Sequence, residues 1–159
     1  MEVKLYTEQW DFVKDKSKKL LADGGVASGK TFASAVKIYL LCNEYPGLRA
    51  LCGGVTFSQV KYSVIREILR IADFSQVKHN KADHTIEFAN GSIIFYRGLD
   101  EEHKIKGVTI GAALVDELTE VKPEIYYRII ANLRQSGMPC QCIATVSYTH
   151  LTLPTIYSV

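Results

Sequence analysis

Short apolar runs alternate along this chain with segments in which apolar residues recur at every third or fourth position. The runs are typical of buried strands, and the three-to-four-residue spacing is typical of helices with one apolar face. Their alternation predicts an α/β domain built on a mainly parallel sheet. The predicted helices span residues 8–16, 30–43, 58–72 and 123–134, and the predicted strands span residues 19–22, 48–52, 111–115 and 139–145.

The middle of the chain has a different pattern. Two β-rich segments, residues 85–88 and 93–96, are separated by the polar sequence Ala89-Asn90-Gly91-Ser92. Asn-Gly favours the positive φ angles of tight hairpin turns. We therefore predict a β-hairpin inserted into the α/β domain, followed by a polar connection over residues 98–106.

The composition is that of an ordinary globular domain. The chain has 159 residues, of which 47% are hydrophobic and 23% charged, and this length allows one domain with a sizeable core. No apolar run comes near the roughly 20 residues that span a bilayer. The first residues are too highly charged for a signal peptide. We therefore expect a cytoplasmic protein without a membrane partner.

The net charge and the cysteine content exclude few classes of function. A net charge of +2 neither requires nor excludes a nucleic-acid partner. The lysines before the first predicted strand either form a solvated face or contact phosphates; they are Lys14, Lys16, Lys18 and Lys19. The cysteines are expected to be buried reduced thiols, the last two on one face of a strand; they are Cys42, Cys52, Cys140 and Cys142.

One motif predicts nucleotide binding. Residues 24–31 match the phosphate-loop pattern G-x-x-x-x-G-K-S/T in full, between a predicted strand and a predicted helix. Glycine allows backbone conformations that a Cβ forbids, so loop amides and the helix N-terminus can surround an anion. Lys30 would contact the β- and γ-phosphates of ATP, and the Thr31 hydroxyl would ligate Mg²⁺. The alternative is a glycine-rich turn with an incidental lysine. The loop residues are Gly24, Gly25, Val26, Ala27, Ser28, Gly29, Lys30 and Thr31.

Two adjacent carboxylates follow the predicted strand over residues 111–115. The carboxyl end of a parallel strand is where ligands bind in open α/β sheets. Asp116 would hold hydrated Mg²⁺, and Glu117 would polarise the attacking water. A second acid beside the first favours an ATPase over a small-molecule kinase. The alternative is an acidic cluster at a helix N-terminus, because Glu120 and Glu124 follow.

These motifs resemble those of the large subunit of phage terminase, the motor that packages viral DNA. The resemblance rests on the loop at residues 24–31, on residues 93–100 (IIFYRGLD) with 104–107 (KIKG), and on residues 114–121 (LVDELTEV). It covers roughly residues 5–146, and the middle stretch is the discriminating one, because ATPases in general share only the nucleotide motifs. It implies a P-loop NTPase fold, a three-layer sandwich of the additional-strand, RecA-like type.

The resemblance also implies roles for two residues outside these motifs. Gln9, about fifteen residues before the loop, lies where these motors recognise adenine; the alternative is a helix-surface glutamine. Thr145 matches the start of the family's coupling motif, which senses the γ-phosphate. Here Val146-Ser147 follows, where the family usually has a polar residue and Asn-Pro.

Two arginines of the family are missing from this chain. Many members have an arginine within the loop, where this chain has Val26 or Ala27. In some members another arginine reaches into a neighbouring subunit, and Lys106 stands at that position. A lysine could supply the charge but not a bidentate fork. Its rivals for this trans-acting role are Arg97, Arg128 and Arg134.

We expect an ATPase domain over residues 1–146 and no C-terminal nuclease, because no acidic cluster follows Val121. Residues 147–159 resemble a translated adapter sequence and are expected to be non-native, or else a disordered natural terminus. The resemblance implies double-stranded DNA, further copies in a ring, the terminase small subunit and the portal as partners, in an infected bacterial host cell. The rival functions are a helicase- or recombinase-like ATPase and a truncated nucleotide-binding fragment without turnover.

Overall fold

The computed structural model describes residues 2–25, 28–100 and 102–148. None of the helices in these ranges combines the length and the apolarity that crossing a membrane requires. The helices are α1 (Thr7–Lys14), α2 (Lys30–Glu44), α3 (Phe57–Val60), α4 (Arg66–Ile71) and α5 (Pro123–Asn132), with a π-helical turn over Lys61–Ile65 and 3₁₀ turns over Glu102–Lys104 and Leu118–Glu120. The strands are β1 (Lys19–Gly25), β2 (Arg49–Gly54), β3 (Val77–Asn80), β4 (Thr85–Phe88), β5 (Ile93–Gly98), β6 (Ala112–Val115) and β7 (Gln141–Tyr148).

The described strands form one sheet in the order β1-β7-β6-β2-β5-β4-β3. The first five strands in this order are parallel, whereas β4 and β3 are antiparallel to their neighbours. The predicted hairpin is β4–β5, and Gly91 in its turn has a φ of 90°. The prediction of a mainly parallel α/β sheet with a β-hairpin is therefore confirmed.

Helices cover both faces of the sheet, as the predicted three-layer sandwich requires. Leu114 and Val115 are adjacent in β6 and both are fully buried. They belong to different apolar clusters, because successive side chains of a strand point to opposite faces. The cluster of Leu114 includes Ile38 of α2 and Val64 of the π-helical turn, and the cluster of Val115 includes Ile129 of α5. β6 is apolar throughout because both of its faces are buried.

Several element boundaries differ from the predicted ones. β1 and β2 continue through glycines to Gly25 and Gly54, beyond the predicted ends at residues 22 and 52. β3 is not predicted from the sequence, because only its first residue, Val77, is buried and apolar. The helix predicted over residues 58–72 is interrupted by the π-helical turn.

β7 extends two residues beyond the predicted domain boundary at residue 146. Ser147 and Tyr148 continue the strand and pair with Gly24 and Gly25 of β1. The segment predicted to be non-native thus begins with two residues that lie in the sheet. Residues 149–159 lie outside the described residues, and the non-native origin of the tail stays a prediction.

The predicted placement of the last two cysteines on one strand face is wrong. Cys140 has a φ of 52° and precedes β7, whereas Cys142 lies within the strand. The four cysteines are free thiols in the described part of the chain. Cys42, Cys52 and Cys142 are buried, which agrees with the prediction for these three.

The lysines before β1 make local contacts. Lys14 Nζ lies 3.6 Å from a carboxylate oxygen of Asp11. Lys18 Nζ donates to the carbonyl of Pro139 at 2.6 Å. Two of the four lysines thus have partners within the fold. Phosphate binding by this segment stays a prediction.

Candidate nucleotide site

The C-terminal ends of β1, β7 and β6 meet at one edge of the sheet, because the three strands are parallel. Ala22 of β1 pairs with Thr145 of β7, and Ala144 of β7 pairs with Val115 of β6. Neighbouring strands lie about 4.8 Å apart, so β1 and β6 are separated by roughly 10 Å, with β7 between them. The glycine loop after β1 and the two acids after β6 therefore lie at the same edge.

The loop leads from β1 into α2 and is shaped by two of its glycines. Gly24 is buried, and a Cβ there would lie 2.9 Å from the hydroxyl of Ser28. Gly29 is the N-cap of α2 and has a φ of 78°, a conformation that favours glycine. Lys30 Nζ donates to the carbonyl of Gly25 at 3.1 Å. The ammonium group is therefore held close to the loop backbone.

The N-terminus of α2 supplies the rest of the described loop. Thr31 is the second residue of the helix and is partly buried. The first amides of a helix and its positive dipole end favour an anion at this position. Val26 and Ala27 lie outside the described residues, so their part in phosphate binding stays a prediction.

Asp116 is the most deeply buried acid of the site, with 3% of its surface exposed. Its Oδ1 accepts a hydrogen bond from the Thr145 hydroxyl at 2.7 Å. Its Oδ2 lies 2.8 Å from the hydroxyl of Ser63. The two hydroxyls come from different elements, β7 and the π-helical turn, and each lies within hydrogen-bond distance of a different carboxylate oxygen.

The backbone conformation of Glu117 keeps its carboxylate apart from that of Asp116. It has a φ of 52° and a ψ of 59°, a left-handed conformation that costs a non-glycine residue about 1–3 kcal/mol. Its backbone N–H donates to the Thr145 hydroxyl oxygen at 3.0 Å. Its carboxylate accepts from the backbone N–H of Ser147 at 3.2 Å and also from the Ser147 hydroxyl. On β7, the carboxylate of Asp116 is thus bonded to Thr145 and that of Glu117 to Ser147, while Thr145 also bonds the Glu117 backbone.

Gln9 of α1 contacts the loop. Its Nε2 donates to the carbonyl of Gly29 at 3.2 Å, and its Oε1 accepts from the backbone N–H of Tyr6 at 2.9 Å. With Ser28 and Lys30 it lines a cavity of about 230 Å³. A glutamine amide has two hydrogens and two lone pairs, so these contacts leave one of each for a ligand. Gln9 therefore lies beside the loop, and recognition of adenine by Gln9 stays a prediction.

Lys106 lies on the surface, at a groove that none of these residues lines. It is exposed and lines a groove with His103 and Arg128. The rival arginines each contact their own chain: Arg128 pairs with Glu102, Arg97 donates to the carbonyl of the preceding residue at 2.9 Å, and Arg134 Nε lies 3.4 Å from Thr109 Oγ1. A trans-acting role for Lys106 stays a prediction.

Two contacts of the site are not predicted from the sequence. Ser63 precedes Asp116 by 53 residues, and a serine in a helical segment indicates only a polar position. Asp23 directly precedes the loop, which was the one available signal for its importance. Its Oδ2 accepts from the Tyr148 hydroxyl at 2.7 Å, whereas its Oδ1 is buried without a partner among the described residues.

The donor set fits a hard cation that phosphate helps to bind. In the described part of the chain, no three His, Cys, Asp or Glu side chains are grouped as a metal site. Mg²⁺ keeps several of its waters and is usually bound by one or two carboxylates together with substrate phosphates. Asp116 and the Thr31 hydroxyl offer such a small set of oxygen ligands. The residues therefore suit Mg²⁺ that arrives with a nucleotide.

Comparison with known sequences identifies similar proteins. A family profile described as phage terminase large subunit matches residues 16–147. The PBSX phage terminase large subunit of Bacillus subtilis (strain 168) is 25% identical over 150 residues, which are 92% of this chain and 34% of the relative. The chain thus spans about a third of the length of that curated relative.

Comparison with solved structures shows the same fold. The large terminase from a thermophilic bacteriophage, solved in complex with ADP, has a TM-score of 0.76 and 17% identity, and the match covers 88% of this chain and 38% of that one. The ATPase domain of the large terminase from Thermus phage P74-26 has a TM-score of 0.70 and 16% identity, with 94% of this chain and 67% of that one covered.

Proposed function

The chain belongs to the phage terminase large subunit family, and on this basis we propose that it is an ATP-hydrolysing motor domain that drives the packaging of double-stranded viral DNA. One observation carries the proposal. The strand between the loop and the acids contacts both acids, through Thr145 and Ser147. Ser147 also pairs with Gly24 at the start of the loop. A movement of the loop on phosphate binding would therefore be passed through β7 to the acids of the site.

Nucleotide binding is assigned to the loop and the start of α2. The loop amides and Lys30 stabilise charge on the β- and γ-phosphates, as in other phosphate loops. The Thr31 hydroxyl and the Asp116 carboxylate would hold Mg²⁺. The cation, when bound with ATP, neutralises charge that develops on the phosphate oxygens. Gln9, beside Gly29, contacts the adenine edge with its remaining donor and acceptor.

Water activation is assigned to Glu117. A general base must lie within hydrogen-bond reach of the water it acts on. The Glu117 carboxylate is positioned by the two Ser147 contacts and by its left-handed backbone. It accepts the proton of the attacking water, or orients that water toward the γ-phosphorus. Thr145, bonded to both acids, links the state of the γ-phosphate to β7.

Partners are assigned from the family and from the surface position of Lys106. Double-stranded DNA, the small subunit and the portal are the expected partners, in the cytoplasm of an infected bacterium. The described loop contains no arginine, so a neighbouring copy in a ring is expected to complete the charge around the γ-phosphate. The nucleotide found with the similar bacteriophage large terminase, ADP, supports adenine nucleotides as the ligand class.

The test measures ATP binding and phosphate release separately with the purified chain. Lys30→Ala is expected to weaken ATP binding about 10–100-fold, through loss of charge-assisted hydrogen bonds. Glu117→Gln is expected to bind ATP normally and to lose about 10²–10⁴-fold in turnover. Lys122→Ala and Glu124→Gln are matched controls, because both residues are exposed near the start of α5.

Three results would argue against the proposal or a part of it. Turnover by Glu117→Gln equal to that of the unmodified chain would remove Glu117 from the reaction. ATP binding without turnover, at high protein concentration and with DNA present, would instead support a nucleotide-binding fragment. Fast turnover by the isolated monomer would contradict the need for a neighbouring copy.

A further inference from the structure

Ser63 connects the π-helical turn to the acid that would hold the metal. It is the third residue of the turn Lys61–Ile65. Its hydroxyl oxygen lies 2.8 Å from Asp116 Oδ2 and 2.7 Å from the carbonyl oxygen of Gln59. A serine hydroxyl has one proton, so it donates to one of these acceptors at a time. Ser63 therefore donates either to the carbonyl of Gln59 in its own helical segment or to the carboxylate of Asp116.

The position of this turn is set by backbone contact. A Cβ at Gly54, the last residue of β2, would lie 3.0 Å from the backbone nitrogen of Val60. A Cβ at Gly98, the last residue of β5, would lie 2.6 Å from the backbone nitrogen of Phe57. The two glycines thus let α3 sit directly on the ends of two strands. Because no side chain intervenes, the distance from Ser63 to the end of β6 is well defined.

The π-helical turn is the second unusual feature of this contact. Such turns are rare and often occur at functional sites, because the extra residue changes the direction of the side chains around it. A helix serine bonded only to the carbonyl four residues earlier would need no π-helical turn. Here the hydroxyl also reaches a carboxylate that is 3% exposed. Packing alone does not require that contact.

We propose that Ser63 is a positioning residue that holds Asp116 in the orientation that binds Mg²⁺. The inference rests on the proposed function. Each carboxylate oxygen has two lone pairs, so Oδ2 can accept from Ser63 and still ligate a cation. Thr145 fixes Oδ1 and Ser63 fixes Oδ2, and both hydroxyls are needed to prevent rotation of the carboxylate. Outer partners of this kind typically contribute 10–100-fold to metal affinity.

The experiment measures Mn²⁺ binding, as a probe for Mg²⁺, by the electron paramagnetic resonance signal of free Mn²⁺ in the presence of saturating ADP. Ser63→Ala is expected to weaken Mn²⁺ binding about 10–100-fold, while ADP binding without metal stays unchanged. Ser63→Thr keeps the hydroxyl and is expected to stay within a few-fold of the unmodified chain. Ser34→Ala is the matched control, because Ser34 is fully buried in α2 and its hydroxyl has no partner among the described residues.

The outcomes separate this inference from the proposed function. Unchanged Mn²⁺ affinity in Ser63→Ala would overturn the inference even if ATP is hydrolysed. Equal losses in Ser63→Ala and Ser63→Thr, or a parallel loss of metal-free ADP binding, would also overturn it, because they indicate disturbed packing. If Ser63→Ala does not fold, Ser63→Cys decides the question, since its thiol is a weak donor of similar size. An unmodified chain that binds no ADP would overturn both proposals.

Discussion

Thr145 and Asp116 are joined by a 2.7 Å hydrogen bond between the middle of β7 and the end of β6. Thr145 is fully buried and Asp116 is 3% exposed, so water cannot easily replace either partner. The same threonine oxygen accepts from the backbone N–H of Glu117 at 3.0 Å. One side chain on the neighbouring strand thus fixes both acids of the site.

Thr145→Val is expected to destabilise the fold and to reduce turnover. Valine has the shape of threonine but leaves the Asp116 oxygen and the Glu117 N–H without this partner. Each unsatisfied buried group costs about 1–3 kcal/mol. Urea denaturation measures the loss, and Thr145→Ser, which keeps the hydroxyl, is the control. Equal stability of the valine variant and the unmodified chain would show that the bond is not needed.

Gly29→Ala is expected to damage the loop more than a comparable glycine substitution elsewhere. Gly29 and Gly47 both have a φ of 78°, so alanine at either position meets a similar backbone cost of about 1–2 kcal/mol. At Gly29 the new Cβ would also displace the amide end of the flexible Gln9 side chain from its contact with the loop, whereas at Gly47 no atom lies within 4 Å. ADP titration of both variants is the measurement. Weaker binding is expected for Gly29→Ala alone, and equal affinities would contradict it.

The buried position of Lys37 predicts that the stability of the fold depends on pH. It is 2% exposed, and its Nζ donates to the carbonyls of Val13 and Asp15 at 2.7 and 2.6 Å. Burial lowers the pKa of Lys37 from 10.5 to about 8, against the opposing attraction of Asp15 and Glu44. Between these values the unfolded chain holds a proton that the folded chain has released. The contribution of Lys37 to stability therefore becomes more favourable as pH rises through this window, by at most about 1.4 kcal/mol per pH unit.

The check compares the unmodified chain with Lys37→Met by urea denaturation at a pH below and a pH above the folded pKa. The methionine variant removes the titration and keeps the length of the side chain. We expect the stability difference between the two proteins to shift in favour of lysine at the higher pH. A shift in the opposite direction would mean that the folded chain retains the proton.

Thiol reactivity is expected to differ sharply among the four cysteines. Burial raises the pKa of Cys42 and Cys52 far above the ordinary value and raises the pKa of Cys142 to about 12. The thiolate is the reactive form, so these three are protected in the folded chain near neutral pH. Titration with a disulfide reagent is expected to modify Cys140 alone before denaturation and all four afterwards. Fast reaction of more than one thiol in the folded chain would contradict the buried positions.

The parts of the site that can be predicted from sequence are those with a local pattern. The loop is a run of neighbouring residues whose types are set by phosphate geometry, and Asp116 follows an apolar strand of ordinary appearance. Parallel pairing then brings both to one edge, whatever the details of packing. The mainly parallel sheet and its hairpin follow from the same periodicities.

The parts that cannot be predicted depend on contacts between distant segments. Ser63 reaches Asp116 only because two glycines at strand ends allow close approach of α3. Lys37 lies on the buried side of α2 because the carbonyls of Val13, in the last turn of α1, and of Asp15, just after α1, accept its hydrogens. A lysine in a helix otherwise predicts a solvated position. Tertiary structure overrides the residue preference in both cases.

β1 is one of the two edge strands of the sheet, and the loop continues from its end. Among the described strands, β1 pairs only with β7, and its first five residues are at best half-buried. Segments with few buried contacts open most readily. A phosphate bound by the loop would therefore act on an edge strand, which has a paired neighbour on one side only. Hydrogen exchange is therefore expected to slow more in β1, when a phosphate binds, than in the buried interior strands.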